Sequence, residues 1–171
     1  MPQRADAFDL NALTLSSGEG RRLELHVHLD PFDLGGNRYE ALPAMIPVRL
    51  DVSRTMHSGW ALRLRFDVEL HGPCMRCLEP AGPSFSVDAR EVDQPNGGEE
   101  LSSPYVADGE LDLAAWARDA LALTLPAQLT CRPDCAGLCP QCGANLNEDP
   151  EHAHEREPDP RWAKLSELRF D

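Results

Sequence analysis

Between Trp60 and Leu70, apolar and polar residues alternate without a break. Trp60, Leu62, Leu64, Phe66, Val68 and Leu70 share one parity; Ala61, Arg63, Arg65, Asp67 and Glu69 share the other. A period of two belongs to an extended strand and sends the two sets to opposite faces of a sheet. Leu23, Leu25, Val27 and Leu29 alternate in the same way with Glu24, His26 and His28. Ala44, Ile46, Val48, Leu50 and Val52 predict a third strand, and Phe85, Val87 and Ala89 a fourth. Pro47 interrupts the third strand on its polar parity; it has no N–H to give a ladder, so it predicts an edge or a bulge. Turn-rich "DPFDLGGNRYE" and "SRTMHSG" separate these runs. Strands with one wetted face imply an antiparallel sheet, here with scope to curl into a partial barrel.

Beyond the strands the period changes. "DQPNGGEELSSP" from Asp93 to Pro104 has almost nothing to bury and reads as a linker. After it, Leu113, Trp116, Ala117, Ala120, Leu121 and Thr124 follow helical spacing, with Asp112 as N-cap and Pro126 as the stop. The predicted helix, residues 112–125, has an apolar stripe suited to the open face of the sheet. The expected class is therefore α+β. It comprises a core over residues 1–126 and a cysteine-rich, zinc-knuckle tail over 127–171. Near the end of the tail, Asp159 and Pro160 resemble an N-cap and first helical position, and Trp162, Leu165 and Leu168 line one side of a short terminal helix.

All six cysteines fall in pairs. Cys74 and Cys77 form "CMRC" at the end of the long strand, Cys139 and Cys142 form "CPQC", and Cys131 and Cys135 are spaced by three residues. Two thiolates at such spacing grip one ion from a tight turn, and all three spacings suit structural zinc. Six ligands are too many for one four-coordinate ion and too few for two. His152 and His154, in "HAH", supply the missing pair. Chain geometry favours Cys74 and Cys77 with Cys131 and Cys135, and Cys139 and Cys142 with His152 and His154. Two other groupings stay open: Cys131, Cys135, Cys139 and Cys142 on one ion, or the two C-x2-C pairs joined as a ribbon. One or two structural zinc ions are therefore expected.

A thioredoxin-type redox role for Cys74 and Cys77 needs a helix after the motif, and Pro80, Gly82 and Pro83 stand there instead. A catalytic metal site needs an open position and a base. The chain has neither H-E-x-x-H nor the H-x-E with P-C-x-x-C of nucleobase deaminases, and no P-loop, G-x-G-x-x-G or G-x-S-x-G. Neither an enzyme nor a small-molecule substrate is expected. No run approaches the length of a membrane span. "MPQRADAFDL" lacks the features of a signal peptide, so no membrane association and a cytoplasmic location are expected.

The net charge of −13 is uneven: residues 91–171 carry six basic and seventeen acidic side chains. That balance opposes general phosphate binding. A nucleic-acid contact must use a local patch, and Arg49, Arg63, Arg65, Arg76 and Arg90 are the candidates, on polar strand positions or beside the first knuckle. A solvated sheet face laced with cross-strand ion pairs is the competing reading.

The segments "CMRCLEP", "ELDLAAWARDALALTLPAQLTC", "CAGLCPQCGANLNED" and "DPRWAKLSEL", in that order, resemble the YceD family of large ribosomal RNA subunit accumulation proteins. Cys74, Arg76 and Cys77 match its C-x-R-C motif; Asp112, Leu113, Leu125 and Pro126 match the helix bounds. Cys131, Cys135, Gly137, Leu138, Cys139, Pro140, Cys142, Gly143, Asn145, Leu146 and Asn147 match the cysteine segment, and Asp159 to Trp162 the closing motif. The resemblance implies a non-enzymatic protein that supports 23S rRNA accumulation, hence large-subunit biogenesis, with large-subunit rRNA or its precursor particle as partner. Many relatives carry C-x-C where His152 and His154 stand, which supports a ligand role for both. Two alternatives remain: a zinc-dependent adaptor whose acidic surface holds a basic ribosomal protein, and a redox-sensing zinc protein.

Overall fold

A computed structural model describes residues 5–95 and 97–154. Contacts divide the chain into two compact units, Met1–Cys135 and Ala136–Asp171. The terminal helix expected around Trp162, Leu165 and Leu168 lies outside the described residues.

In the first unit the chain runs through β1 (Ala7–Asp9), β2 (Gly20–His28), β3 (Phe32–Leu34), β4 (Asn37–Leu42), β5 (Met45–Arg54) and β6 (Trp60–Pro73). It continues through β7 (Pro80–Ala81), β8 (Ser84–Asp93), β9 (Val106–Ala107), β10 (Glu110–Asp112) and α1 (Leu113–Thr124). The main sheet has the order β2-β5-β6-β4-β3, with β7 and β8 also paired to β6. Every pairing is antiparallel. The four strands read from alternation are β2, β5, β6 and β8. Their apolar parity is the core: Val27, Val48, Leu50, Val52, Leu62, Leu64, Leu70 and Val87 are all buried.

Among the described residues β2, β3 and β8 each pair with one neighbour only, so the sheet does not close into the partial barrel that the alternation allows. Pro47 has a place in this. The β5–β6 ladder runs from Arg54↔Trp60 to Arg49↔Arg65 and stops. Pro47 lies just beyond, where β5 keeps only β2 as a neighbour, as a residue without an N–H requires. Further along β6, β4 takes over as partner from Glu69 to His71. The stretch read as a turn, "DPFDLGGNRYE", holds a hairpin of its own. β3 and β4 join through Gly35 and Gly36, both at positive φ (58° and 80°), the conformation a two-residue hairpin loop demands.

α1 begins where Asp112 accepts a hydrogen bond from the Ala115 N–H at 2.9 Å, and ends at Leu125, ahead of Pro126. Leu113, Trp116, Ala117, Ala120 and Leu121 are buried. The helix packs on β8 and β2, so the described residues form a mostly antiparallel sheet with a single α-helix. A second, three-stranded sheet, β1-β10-β9, carries the chain into α1.

Candidate metal centres

The end of β6 is fixed from below. Tyr39 of β4 is fully buried and donates its hydroxyl to the Pro73 carbonyl at 2.7 Å. Gly72 makes that approach available, because a Cβ there would stand 2.3 Å from the Tyr39 ring. The next residue is Cys74. Its N–H donates to the Glu79 carbonyl (2.7 Å), and the Met75 N–H donates to the Leu129 carbonyl (2.8 Å), tying the knuckle to the segment after α1. That segment delivers Cys131 and Cys135.

The four sulfurs of Cys74, Cys77, Cys131 and Cys135 lie within 4.8 Å of one another. Cys74 Sγ to Cys135 Sγ is 3.8 Å, and Cys77 Sγ to Cys131 Sγ is 3.7 Å. Disulfide sulfurs stand about 2.0 Å apart, so these are free thiols. A tetrahedron with zinc–sulfur bonds of about 2.3 Å has edges of about 3.8 Å, which the two spacings match. Cys74, Cys77 and Cys135 are buried and Cys131 is exposed.

The thiols are unequal. Burial pushes Cys74 up, but backbone N–H groups of Cys77, Arg76 and Cys131 outweigh it and bring the thiol down to about 6. Burial pushes Cys77 up to about 12, aided by the three neighbouring sulfurs. Cys131, though exposed as a residue, is also raised, first by desolvation at its sulfur. Burial first, and then the closeness of the four sulfurs, thus penalises a second negative charge, the penalty that a bound cation removes. The crowding therefore fits a cation at the centre.

In the second unit, Cys139, Cys142, His152 and His154 also place their donor atoms within 4.8 Å of one another. Both imidazoles present Nε2 to Cys142 Sγ at 3.2 Å. The His152 backbone N–H donates to the Asp149 carbonyl at 3.2 Å, and Asp149 Oδ2 stands 3.7 Å from His152 Nδ1, beyond direct hydrogen-bond reach. Backbone N–H groups of Gln141 and Cys142 hold the Cys139 thiol down at about 6 against burial. The loop between the donors closes on polar groups. The Asn147 side chain accepts from the Ala136 N–H (2.8 Å), and Asn145 accepts from the Asn147 N–H (3.1 Å). Among the described residues of this unit, Cys139 is the one buried side chain. Of the three groupings the spacing left open, the fold brings together the donors of one, the grouping with two sets of four. Either could hold a metal ion.

The two knuckles share a turn and differ at one position. Gly143 donates its N–H to the Cys139 carbonyl at 2.8 Å, and Leu78 donates to the Cys74 carbonyl at 2.9 Å. Both residues have positive φ, 76° for Gly143 and 65° for Leu78. Glycine adopts that conformation freely, whereas a side chain there costs about 1–2 kcal/mol. Leu78 bears that strain with its side chain 60% exposed. Nothing in its spacing marked it; only the missing glycine after "CMRC" gave a signal.

The arginines singled out from sequence separate into two groups. Arg49 pairs with Glu24 (3.2 Å), Arg63 binds both oxygens of Asp88, and Arg65 binds Asp51, which also holds Arg22 at 2.6 Å. The Arg22 contact is the largest cause holding the Asp51 carboxyl below the usual carboxylate range. Four strands of one sheet face thus carry an ion-pair ladder, as cross-strand register predicts. The guanidinium groups of Arg76 and Arg90 make no hydrogen bond or ion pair among the described residues; Arg76 is exposed on the first knuckle, two residues before Leu78.

The family model described as large ribosomal RNA subunit accumulation protein YceD matches residues 62–169, a span that contains all eight donors. An uncharacterised protein of Mycobacterium tuberculosis is 42% identical over 57% of this chain and 49% of its own length. One from Mycobacterium leprae is 44% identical over 56% and 46%, respectively. A maize protein named large ribosomal RNA subunit accumulation protein YCED homolog 1, chloroplastic, is 46% identical over 59% and 46%. The chain thus spans about half the length of the curated relatives it matches. No solved structure matches it significantly. Among the described residues no helix is long and apolar enough to cross a membrane.

Proposed function

The chain belongs to the YceD family, and from that premise we propose that it is a non-enzymatic ribosome-biogenesis factor that supports 23S rRNA accumulation and large-subunit assembly. The family match over residues 62–169 carries the reading, and the name of the maize relative agrees with it. The chain works in the cytoplasm on large-subunit rRNA or its precursor particle. The acidic excess of residues 91–171 supports a second contact, with a basic ribosomal protein.

Both centres hold zinc, one ion through Cys74, Cys77, Cys131 and Cys135, the other through Cys139, Cys142, His152 and His154. Soft thiolates and imidazoles in sets of four are the donors zinc prefers in structural sites. With four protein donors no position stays open for water or substrate, so each ion acts as a crosslink. Tyr39 and the Leu129 carbonyl position the first donor pair, and the Asp149 carbonyl, accepting from the His152 N–H, holds the backbone of the histidine pair. The test is depletion of the protein followed by ribosomal subunit profiling. A fall in free and total large subunits, restored by the wild-type gene, is expected; an unchanged large-subunit level would overturn the reading.

A further inference from the structure

The first knuckle presents two side chains that its own fold does not use. Leu78 stands in the left-handed region where the second knuckle has Gly143, and it is exposed rather than packed. Space does not force glycine at the second knuckle: a Cβ on Gly143 would meet nothing within 4 Å. So the same turn closes with glycine at one centre, and at the other carries an apolar side chain into solvent against a conformational cost. A strained, exposed residue of this kind points to contact outside the chain. Arg76 stands two residues earlier on the same turn, exposed and without a partner among the described residues. Arg49, Arg63 and Arg65, by contrast, are each held by a carboxylate.

We propose that the Cys74–Leu78 turn is the surface that grips large-subunit rRNA, with Arg76 on a phosphate and Leu78 against the face of an unstacked base. The proposal rests on the ribosomal reading above and names the contact within it. The choice of RNA follows from charge. The exposed Arg76 guanidinium, with no carboxylate on it among the described residues, offers a phosphate a fork of N–H donors, which the lysines and arginines of a basic protein have no acceptor to meet. On the polar face of the main sheet a polyanion meets Arg49, Arg63 and Arg65 already paired with carboxylates, on a chain with a net charge of −13. Single-stranded loops and bulges offer splayed bases whose faces accept such contacts. The turn is also stiff: the Leu78 and Cys74 N–H groups are both spent within it. Its two side chains are therefore presented at little ordering cost.

Binding to 23S rRNA transcribed in vitro, measured across a salt series, tests this with the full, zinc-loaded chain. Leu78→Gly removes the contact and also relieves the turn, so its thermal midpoint should equal or exceed the wild type while its affinity falls about tenfold. Arg76→Ala should weaken binding and reduce the slope of log affinity against log salt by about one phosphate's worth, a change Leu78→Gly should not produce. Arg21→Ala, an equal loss of charge on an exposed position of β2, should leave both unchanged. If wild type binds the RNA and both knuckle variants bind as tightly, the turn is not the contact and the ribosomal reading survives. If the variants lose only the precursor particle and not the naked RNA, the turn meets a protein and the proposal fails. If wild type binds neither RNA nor particle, the proposal and the ribosomal reading fall together.

Discussion

The two cysteine centres are each built from two donor pairs, one of them a C-x2-C, on opposite foundations. Cys74, Cys77, Cys131 and Cys135 belong to a unit with a large apolar interior, where Leu50, Leu64, Leu70, Trp116 and Leu129 are all nearly inaccessible. Cys139, Cys142, His152 and His154 belong to a unit whose described residues bury one side chain, itself a ligand candidate. A metal in the first is a rivet through a body that already has a core. In the second it substitutes for the core, because polar loops of this length cannot offset their own conformational entropy.

The largest effect comes from removing metal. A structural zinc supplies on the order of 10 kcal/mol of apparent binding free energy, and in a unit whose described residues offer no other core that is its folding free energy. Chelation should erase amide protection over residues 136–154, while β5, β6 and β8 keep theirs by hydrogen exchange. Simultaneous loss in both regions would break the comparison. Elemental analysis sharpens it: two zincs per chain should fall to one in His152→Ala/His154→Ala, and one zinc in both proteins would refute two centres. Next in size is Trp116→Ala, which empties the apolar interior between α1 and the sheet and should cost about 3–5 kcal/mol of first-unit stability by denaturant titration. Zinc at Cys139, Cys142, His152 and His154 should be retained in that variant. Asp112→Ala removes the α1 cap and should cost about 1 kcal/mol in the same measurement.

The smallest effect is at the ion-pair ladder, and its sign depends on pH. Asp51 has its folded pKa depressed, chiefly by Arg22, so the stability it adds is complete above the ordinary carboxylate range. That stability drains away as pH falls through the depressed value. Asp51→Asn should therefore lower the thermal midpoint slightly at neutral pH and match the wild type in strong acid. A gap that persists in acid would show that packing, not charge, holds the ladder.

What could be read in advance follows from where the information lies. β2, β5, β6, β8 and α1 each write their period into a run of local sequence, so they were legible. The donor sets were legible as pairs because spacing is local, but which pairs meet is a property of the tertiary fold. The β1-β10-β9 sheet was not legible: strands of three and two residues carry no period, and β1 meets β10 about a hundred positions away, Ala7 against Asp112. The arginine ladder was open between phosphate binding and ion pairing because the choice rests on register. Only the alignment of Arg65 with Asp88 and Arg49, beside Asp51 and Arg63, shows how many carboxylates stand within reach. Leu78 is illegible for a different reason: a leucine after a cysteine pair is ordinary in sequence, and only its φ of 65° sets it apart.

The separation of the donors along the chain gives the two centres different histories. Cys77 and Cys131 are 54 positions apart and Cys74 and Cys135 are 61, so closing the first centre closes a ring that contains all of β8 and α1. Cys142 meets His152 and His154 within 10 and 12 positions. Ring closure grows only logarithmically with length, so the wider ring costs about 1–2 kcal/mol more. During synthesis, however, the difference is one of sequence rather than energy. Cys74 and Cys77 leave the ribosome first and wait for the strand and helix that bring their partners, while the second ring can shut as soon as its short loop is free. An ion in the first centre is then a receipt for a finished unit; an ion in the second attests only to its own loop.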